Sequence, residues 1–122
     1  MKIYVAHSRA FDFSQELYEP IKNSLIAKDH EFIFPHDGRS EPFSSKEFFQ
    51  TGCDLILAEV SYPSTGLGIE LGWGDMLKVP IVCLYQKDAQ VSGSLKSVTD
   101  KFFEYSSADE LVAQVAEAIR FV

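Results

Sequence analysis

The chain has no apolar run near the roughly 18 to 20 residues that a membrane span requires. It has only two cysteines, Cys53 and Cys83, each isolated in an apolar stretch with no CxxC motif and no histidine at metal-ligand spacing. Both are expected to be reduced core thiols, and no metal is implied. Basic residues are scarce: 11 Lys and Arg stand against 18 Asp and Glu, for a formal net charge of -7. No Lys/Arg cluster exists to displace the counterions of a nucleic-acid polymer, so neither such a polymer nor a membrane is an expected partner. A small phosphorylated ligand stays open, because a few oriented backbone N–H groups bind phosphate locally. Internal repeats and low-complexity tracts are also missing. Apolar residues at 46% and charged residues at 24% exclude a disordered tail, a collagen-like fibre and a coiled coil. The 122 residues suit a single domain over 1–122. The opening MKIYVAHSRAFDF reads as a strand, not as a signal peptide, and a cytoplasmic location is expected.

What is present is an alternation of short apolar runs with helical patterns. Strands are expected at Lys2–Ala6, Glu31–Phe34, Leu55–Val60, Pro80–Tyr85 and Lys101–Tyr105. A helix is expected from Ser14 to Lys28, with Leu17, Ile21, Leu25 and Ile26 on one apolar face and Pro20 as an interruption or kink. Ser44 and Glu47 have capping-box spacing, as do Ser107 and Glu110. A third helix is expected from about Leu67 to Leu77, and Leu111, Val115 and Ile119 line a last one. The polar loop His36 to Pro42 carries an Asp37-Gly38 turn signal, and Lys87 to Ser97 is the longest irregular stretch. Such alternation specifies an α/β domain: a flavodoxin-like (Rossmann-like) three-layer sandwich with a five-stranded parallel sheet. Ligands of such sheets bind beyond the carboxyl ends of the strands. His7, Ser8 and Arg9 after the first strand, His36 after the second, and Ser61 to Glu70 after the third are therefore candidate site residues.

The most informative segment is Asp54 to Gly72, DLILAEVSYPSTGLGIELG. A buried strand runs into a Pro-Ser-Thr turn, then Gly66-Leu67-Gly68, then a helix carrying Glu70. Gly66 and Gly68 are expected to allow unusual dihedrals and close approach of a ligand. Ser64 and Thr65 supply hydroxyls, and free N–H groups of the helix start point into the same space. Glu70, expected in the first helical turn, would be held ionised by the helix dipole and is suited to attack an anomeric carbon; it could equally serve only to complement that dipole.

AEVSYPSTGLGIELG resembles the signature of the nucleoside 2-deoxyribosyltransferase superfamily, in the pattern of its deoxynucleoside 5′-monophosphate N-glycosidase branch. The resemblance implies that Glu70 is the nucleophile forming a covalent glycosyl ester, that Ser64 contributes to a 5′-phosphate site, and that Gly66 and Gly68 are turn glycines. IYVAHSR is similar to the family's opening strand, with Ser8 on its Ser and His7 in place of a Gly. FPHD places His36 at a substrate-facing position. The family puts a Tyr near the nucleophile, which Tyr4 would supply. It completes its site across a dimer, with Ser92 or Ser94 as the cross-subunit contact, and uses no cofactor. One departure concerns proton transfer to the base. The family's Asp falls on Lys46, so either Asp37, Glu41 or Glu47 takes that role or the proton chemistry is lost.

Other residues carry open alternatives. Glu59, at the end of the third strand, is expected near Glu70, positioning it or a sugar hydroxyl. Asp54 is expected to hold loop amides or cap a helix. Tyr4 could be core packing, and Arg9 could pair with a phosphate or a surface acid. Phe11, Phe13 and Phe43 lie where they could stack on a nucleobase. The expected function is cleavage of the N-glycosidic bond of a (deoxy)nucleoside or its 5′-monophosphate, with transfer to water or another base. The alternative is a non-catalytic nucleotide- or sugar-binding module.

Overall fold

Buried strands with apolar side chains on both faces must be covered on both sides, and the chain satisfies this with one central sheet. The computed structural model describes residues 1–38, 41–120 and 122; positions 39 and 40 of the expected polar loop lie outside the described residues. Its strands are β1 (Lys2–His7), β2 (Glu31–Ile33), β3 (Leu55–Glu59), β4 (Ile81–Gln86) and β5 (Phe102–Tyr105). Among the described residues the order is β2-β1-β3-β4-β5, and every neighbouring pair is parallel. This flavodoxin-like order puts the topological switch point between β1 and β3. In register, Tyr4 pairs with Ile56 and His7 with Glu59, so the two central strands end level.

Alternation along the strands divides the core. Ile3, Val5, Leu55, Leu57, Val82 and Leu84 pack on one face, against Leu17, Ile21, Leu111 and Val115. Tyr4, Ala6, Ile56, Ala58, Ile81 and Cys83 pack on the other, against Phe49, Leu67 and Leu71. The first face is covered by α1 (Glu19–Lys22) and α4 (Ala108–Ile119), the second by α2 (Ser45–Thr51) and α3 (Thr65–Met76). The expected three-layer sandwich around a five-stranded parallel sheet is what forms.

The first helical stretch departs from expectation. In place of one helix over Ser14 to Lys28 there is a π-turn at Ser14–Tyr18, then α1, then a separate 3-10 turn at Leu25–Lys28. Pro20 has no N–H to give to Glu16, and the Glu19 N–H reaches the Ser14 carbonyl in the wider i→i−5 register. At Ser24 the backbone turns extended, and its Oγ donates to the Ile21 carbonyl at 2.6 Å. Leu25 is consequently 76% exposed and does not share the apolar face of Leu17 and Ile21.

Helix starts differ in detail. The Ser44 side chain accepts no backbone N–H; its Oγ lies 3.5 Å from Glu47, so the expected capping box is not formed. Ser107 does cap α4, accepting from the Glu110 N–H at 3.1 Å, while the Glu110 carboxylate reaches back to Ser106. Helix α3 begins at Thr65, two residues earlier than expected, because the Ser64 Oγ accepts the Leu67 N–H at 3.3 Å. Gly66 and Gly68 are thereby ordinary helical residues without positive φ, a correction to the unusual dihedrals expected there. Glu70 moves to the second turn, beyond the reach of the first-turn dipole effect. The closest approach is at Gly74, where a Cβ would stand 2.3 Å from Ile56 Cδ1 and that side chain would have to shift. Gly38, by contrast, has φ +68°, as the Asp37-Gly38 turn demands.

Candidate functional site

Where β1 and β3 end, a cavity of about 350 Å³ opens at the switch point. His7 and Arg9 come to it from β1, His36 from the loop after β2, and Ser45 from the first turn of α2. The far wall is α3 with its cap: Ser64, Gly66, Leu67, Ile69, Glu70 and Trp73. The sequence positions 66, 69, 70 and 73 lie at i, i+3, i+4 and i+7, one face of a helix. Gly68 sits roughly 200° around the helix from Gly66, exposed and outside the cavity lining.

The central pair is Tyr4 and Glu70. The Tyr4 hydroxyl donates to Glu70 Oε2 at 2.5 Å. The Tyr4 ring is 2% exposed, held edge-on by Phe49 at 5.0 Å and flanked by Phe43 at 5.8 Å. Burial first, and then the adjacent Glu70 charge, push the Tyr4 phenol above its ordinary range, so it keeps its proton and acts as a fixed donor. Glu70 is half-buried, and its Oε1 has no hydrogen-bond partner among the described residues. One oxygen is thus oriented by the protein while the other stays available in the cavity.

His7 is buried and fully engaged. Its Nδ1 lies 2.8 Å from the Ser8 carbonyl, which can only accept, so that nitrogen carries the proton. Nε2 then accepts from the Tyr18 hydroxyl at 2.6 Å, and the Tyr18 oxygen accepts the His36 N–H at 3.1 Å. Burial pulls the His7 pKa down to about 4, so the ring is neutral at pH 7. His36 is exposed, with its ring 5.3 Å from that of His7 and its pKa lowered by burial and by Arg9. Ser8 is buried and its Oγ accepts the Ala10 N–H at 3.0 Å, shaping the loop that presents Arg9. Arg9 is exposed on the cavity wall and forms no salt bridge among the described residues.

Lys46 stands at the rim, its Nζ 5.6 Å from the centre of the Trp73 ring. None of the acids considered in its place lines the cavity: Asp37 is paired with Lys22 at 2.6 Å, Glu47 lies near Ser44, and Glu41 is exposed. Asp54 ties strand starts together, accepting the Lys2 N–H at 2.7 Å.

One expected neighbour is not brought to Glu70. Glu59 shares the face of Leu55 and Leu57, opposite to that of α3, and its carboxylate is taken by Ser61 and Tyr105. Ser94 lies in a 3-10 turn at Gly93–Ser97, exposed, its carbonyl accepting from the Ser97 hydroxyl at 2.7 Å, and neither it nor Ser92 lines this cavity. Phe13 packs on His7 and Phe43 on Tyr4, so both serve burial. Phe11 stacks on Tyr62 with ring centres 5.0 Å apart. Ser45, Ile69 and Trp73 escaped the sequence reading, although the helical spacing of α3 carries the signal for the last two. The cysteines are inert at neutral pH: burial pushes Cys53 up to about 11 and Cys83 up to about 12. Among the described residues no acidic, histidine or cysteine cluster is grouped to hold a metal ion, and no helix is long and apolar enough to cross a membrane.

Fold and site together define a doubly wound α/β domain that presents an oriented carboxylate in a ligand-sized cavity at its switch point. Two curated relatives share part of this chain, each bearing the name "Putative 2'-deoxynucleoside 5'-phosphate N-hydrolase 1". The Methanosarcina barkeri protein is 37% identical over 51 residues, covering 42% of this chain and 32% of its own. The Methanosarcina mazei protein is 33% identical over 69 residues, covering 57% of this chain and 43% of its own. The matched segments therefore span less than half the length of those relatives. The solved structure of the Clostridium botulinum CMP N-glycosidase BcmB superposes with a TM-score of 0.67 at 19% identity, covering 95% of this chain and 99% of that one. No protein-family model matches the chain. The relatives' names and the shared fold bear out the resemblance to the nucleoside 2-deoxyribosyltransferase superfamily.

Proposed function

We propose that the chain cleaves the N-glycosidic bond of a nucleoside or nucleoside 5′-monophosphate through a covalent glycosyl-Glu70 intermediate. The observation that carries this reading is the Tyr4–Glu70 hydrogen bond at 2.5 Å inside the switch-point cavity. The names of the curated relatives and of the structural neighbour support the same bond as the target. Glu70 Oε1 attacks C1′ from the face opposite the base; the C1′–N bond breaks, and the base leaves with the electron pair and takes a proton from solvent. Water, or a second base, then attacks C1′ and releases the Glu70 carboxylate, with net retention. Tyr4 holds the nucleophile in position. Ser64, Gly66, Arg9 and the neutral His7 ring form the wall for the 5′ end, and His36 and Ser8 shape its entrance.

A homodimer fits the exposed apolar side of α3, where Ile69 is 48% and Met76 81% exposed. Ser94 of a second copy would complete the site there, and the protein would act in the cytoplasm without a cofactor. The test is chromatographic detection of free base from a panel of ribo- and deoxyribonucleosides and their 5′-monophosphates, with and without an acceptor base. Release by the wild type should fall by roughly three orders of magnitude or more in Glu70→Gln. Equal release by that variant would sink the mechanism, and no release by the folded wild type would leave a binding module.

A further inference from the structure

Among the described residues Glu59 is the one buried carboxylate, and the chemistry proposed for Glu70 does not use it. It is 1% exposed at the end of β3. Its Oε1 accepts the Ser61 N–H at 2.7 Å, and its Oε2 accepts both the Ser61 hydroxyl at 2.9 Å and the Tyr105 hydroxyl. The Ser61 Oγ in turn accepts the Gln86 N–H at 2.7 Å. The carboxylate therefore joins the carboxyl ends of β3, β4 and β5, where the parallel ladder runs out. A buried carboxylate costs stability unless donors surround it, and this one has three.

The position in the chain gives the network its consequence. Only Tyr62 and Pro63 separate Ser61 from Ser64, which caps α3 and lines the cavity. Tyr62 is pinned from the other side by its stack on Phe11. Glu70, on the next turn, is held separately by Tyr4 on the opposite face of the sheet. We infer that Glu59 is a positioning residue: with Tyr105 it clamps the β3–α3 loop and sets Ser64 and the first turn of α3 against the 5′ end of the substrate, leaving orientation of the nucleophile to Tyr4. The role in substrate binding rests on the proposed function; the clamping of the loop does not.

The experiment uses the full chain as wild type, Glu59→Gln and Tyr105→Phe, the last removing one donor while leaving the buried ring. Hydrogen–deuterium exchange should show faster exchange over residues 61–67 in Tyr105→Phe, with β1 and α4 unchanged. Unchanged exchange in that segment overturns the clamp even if the protein has no glycosidase activity. With a deoxynucleoside 5′-monophosphate that the wild type cleaves, KM should rise about tenfold in both variants while kcat stays within about a factor of two. A fall in kcat at constant KM, as partial unfolding would produce, overturns the binding role. Should Glu59→Gln fail to fold, Tyr105→Phe decides both points.

Discussion

Tyr4 and His7 sit on the same strand three residues apart, and burial keeps both uncharged, the phenol as a donor and the imidazole as a neutral ring. The Tyr4 phenol is kept protonated and donates to Glu70. Tyr4→Phe should lower base release about 10- to 100-fold, the scale of one hydrogen bond to a charged group, with little change in Tm, because the ring remains packed against Phe49. A loss of Tm by many degrees would show the hydroxyl to be structural. His7 is kept neutral, with its folded pKa at about 4. The unfolded chain then binds the proton more readily, so the His7 contribution to stability is present above about pH 6.5 and is lost as the pH falls toward 4. The loss approaches about 1.4 kcal/mol per pH unit across that window. Denaturant titrations between pH 7 and 4.5 should show a steeper decline for the wild type than for His7→Gln; parallel curves would refute the assignment. Among single residues, Glu70, Ser64, His7 and Arg9 were readable as site candidates, because turn chemistry and position after a strand are local. The isolation of Glu59 from Glu70 was not readable: residue parity separates two faces, but which face α3 covers depends on the crossover.

At the scale of elements, α3 shows how a helix can be apolar and still be specified in position. Its Leu67 and Leu71 enter the core, and Gly74 lets its backbone lie against β3, where a Cβ would meet Ile56 Cδ1 at 2.3 Å. Gly74→Ala gains roughly 0.5–1 kcal/mol of helix propensity and incurs overpacking of about 1–3 kcal/mol, so the substitution should lower stability by about 1 kcal/mol. Ile56→Val removes the clashing methyl. In that background the same Gly74→Ala change should be neutral or stabilising in urea unfolding, and a persistent loss would mean that the clash lies in the backbone. The first helical stretch makes a different point. Proline at position 20 is a visible breaker, but the outcome, a π-turn followed by one α turn and a separate 3-10 turn, reflects the burial of Leu17, Tyr18 and Ile21 against the sheet.

Across the whole molecule, the candidate site and the exposed apolar side of α3 adjoin, since Ile69 and Trp73 line the cavity while Ile69 and Met76 reach solvent. If two copies associate through this side, Met76→Lys should shift the protein to monomer in sedimentation velocity and reduce base release in parallel. A wild type that is monomeric at all accessible concentrations would refute the dimer. A net charge of -7 on each copy opposes association, so a dimer held by apolar contact should strengthen as salt screens that repulsion.

The amino-acid sequence by itself determined the strand–helix alternation, the two-sided burial of the central strands, the turn before α3, and the helix that carries Glu70. These are local properties, set by periodicity, caps and breakers within a few residues. The tertiary structure alone decided who meets whom. Tyr4 reaches Glu70 across 66 positions of sequence, and Tyr105 reaches Glu59 across 46. Such pairs exist only once strand order and register are fixed, because a one-residue slip would turn each side chain to the other face of the sheet.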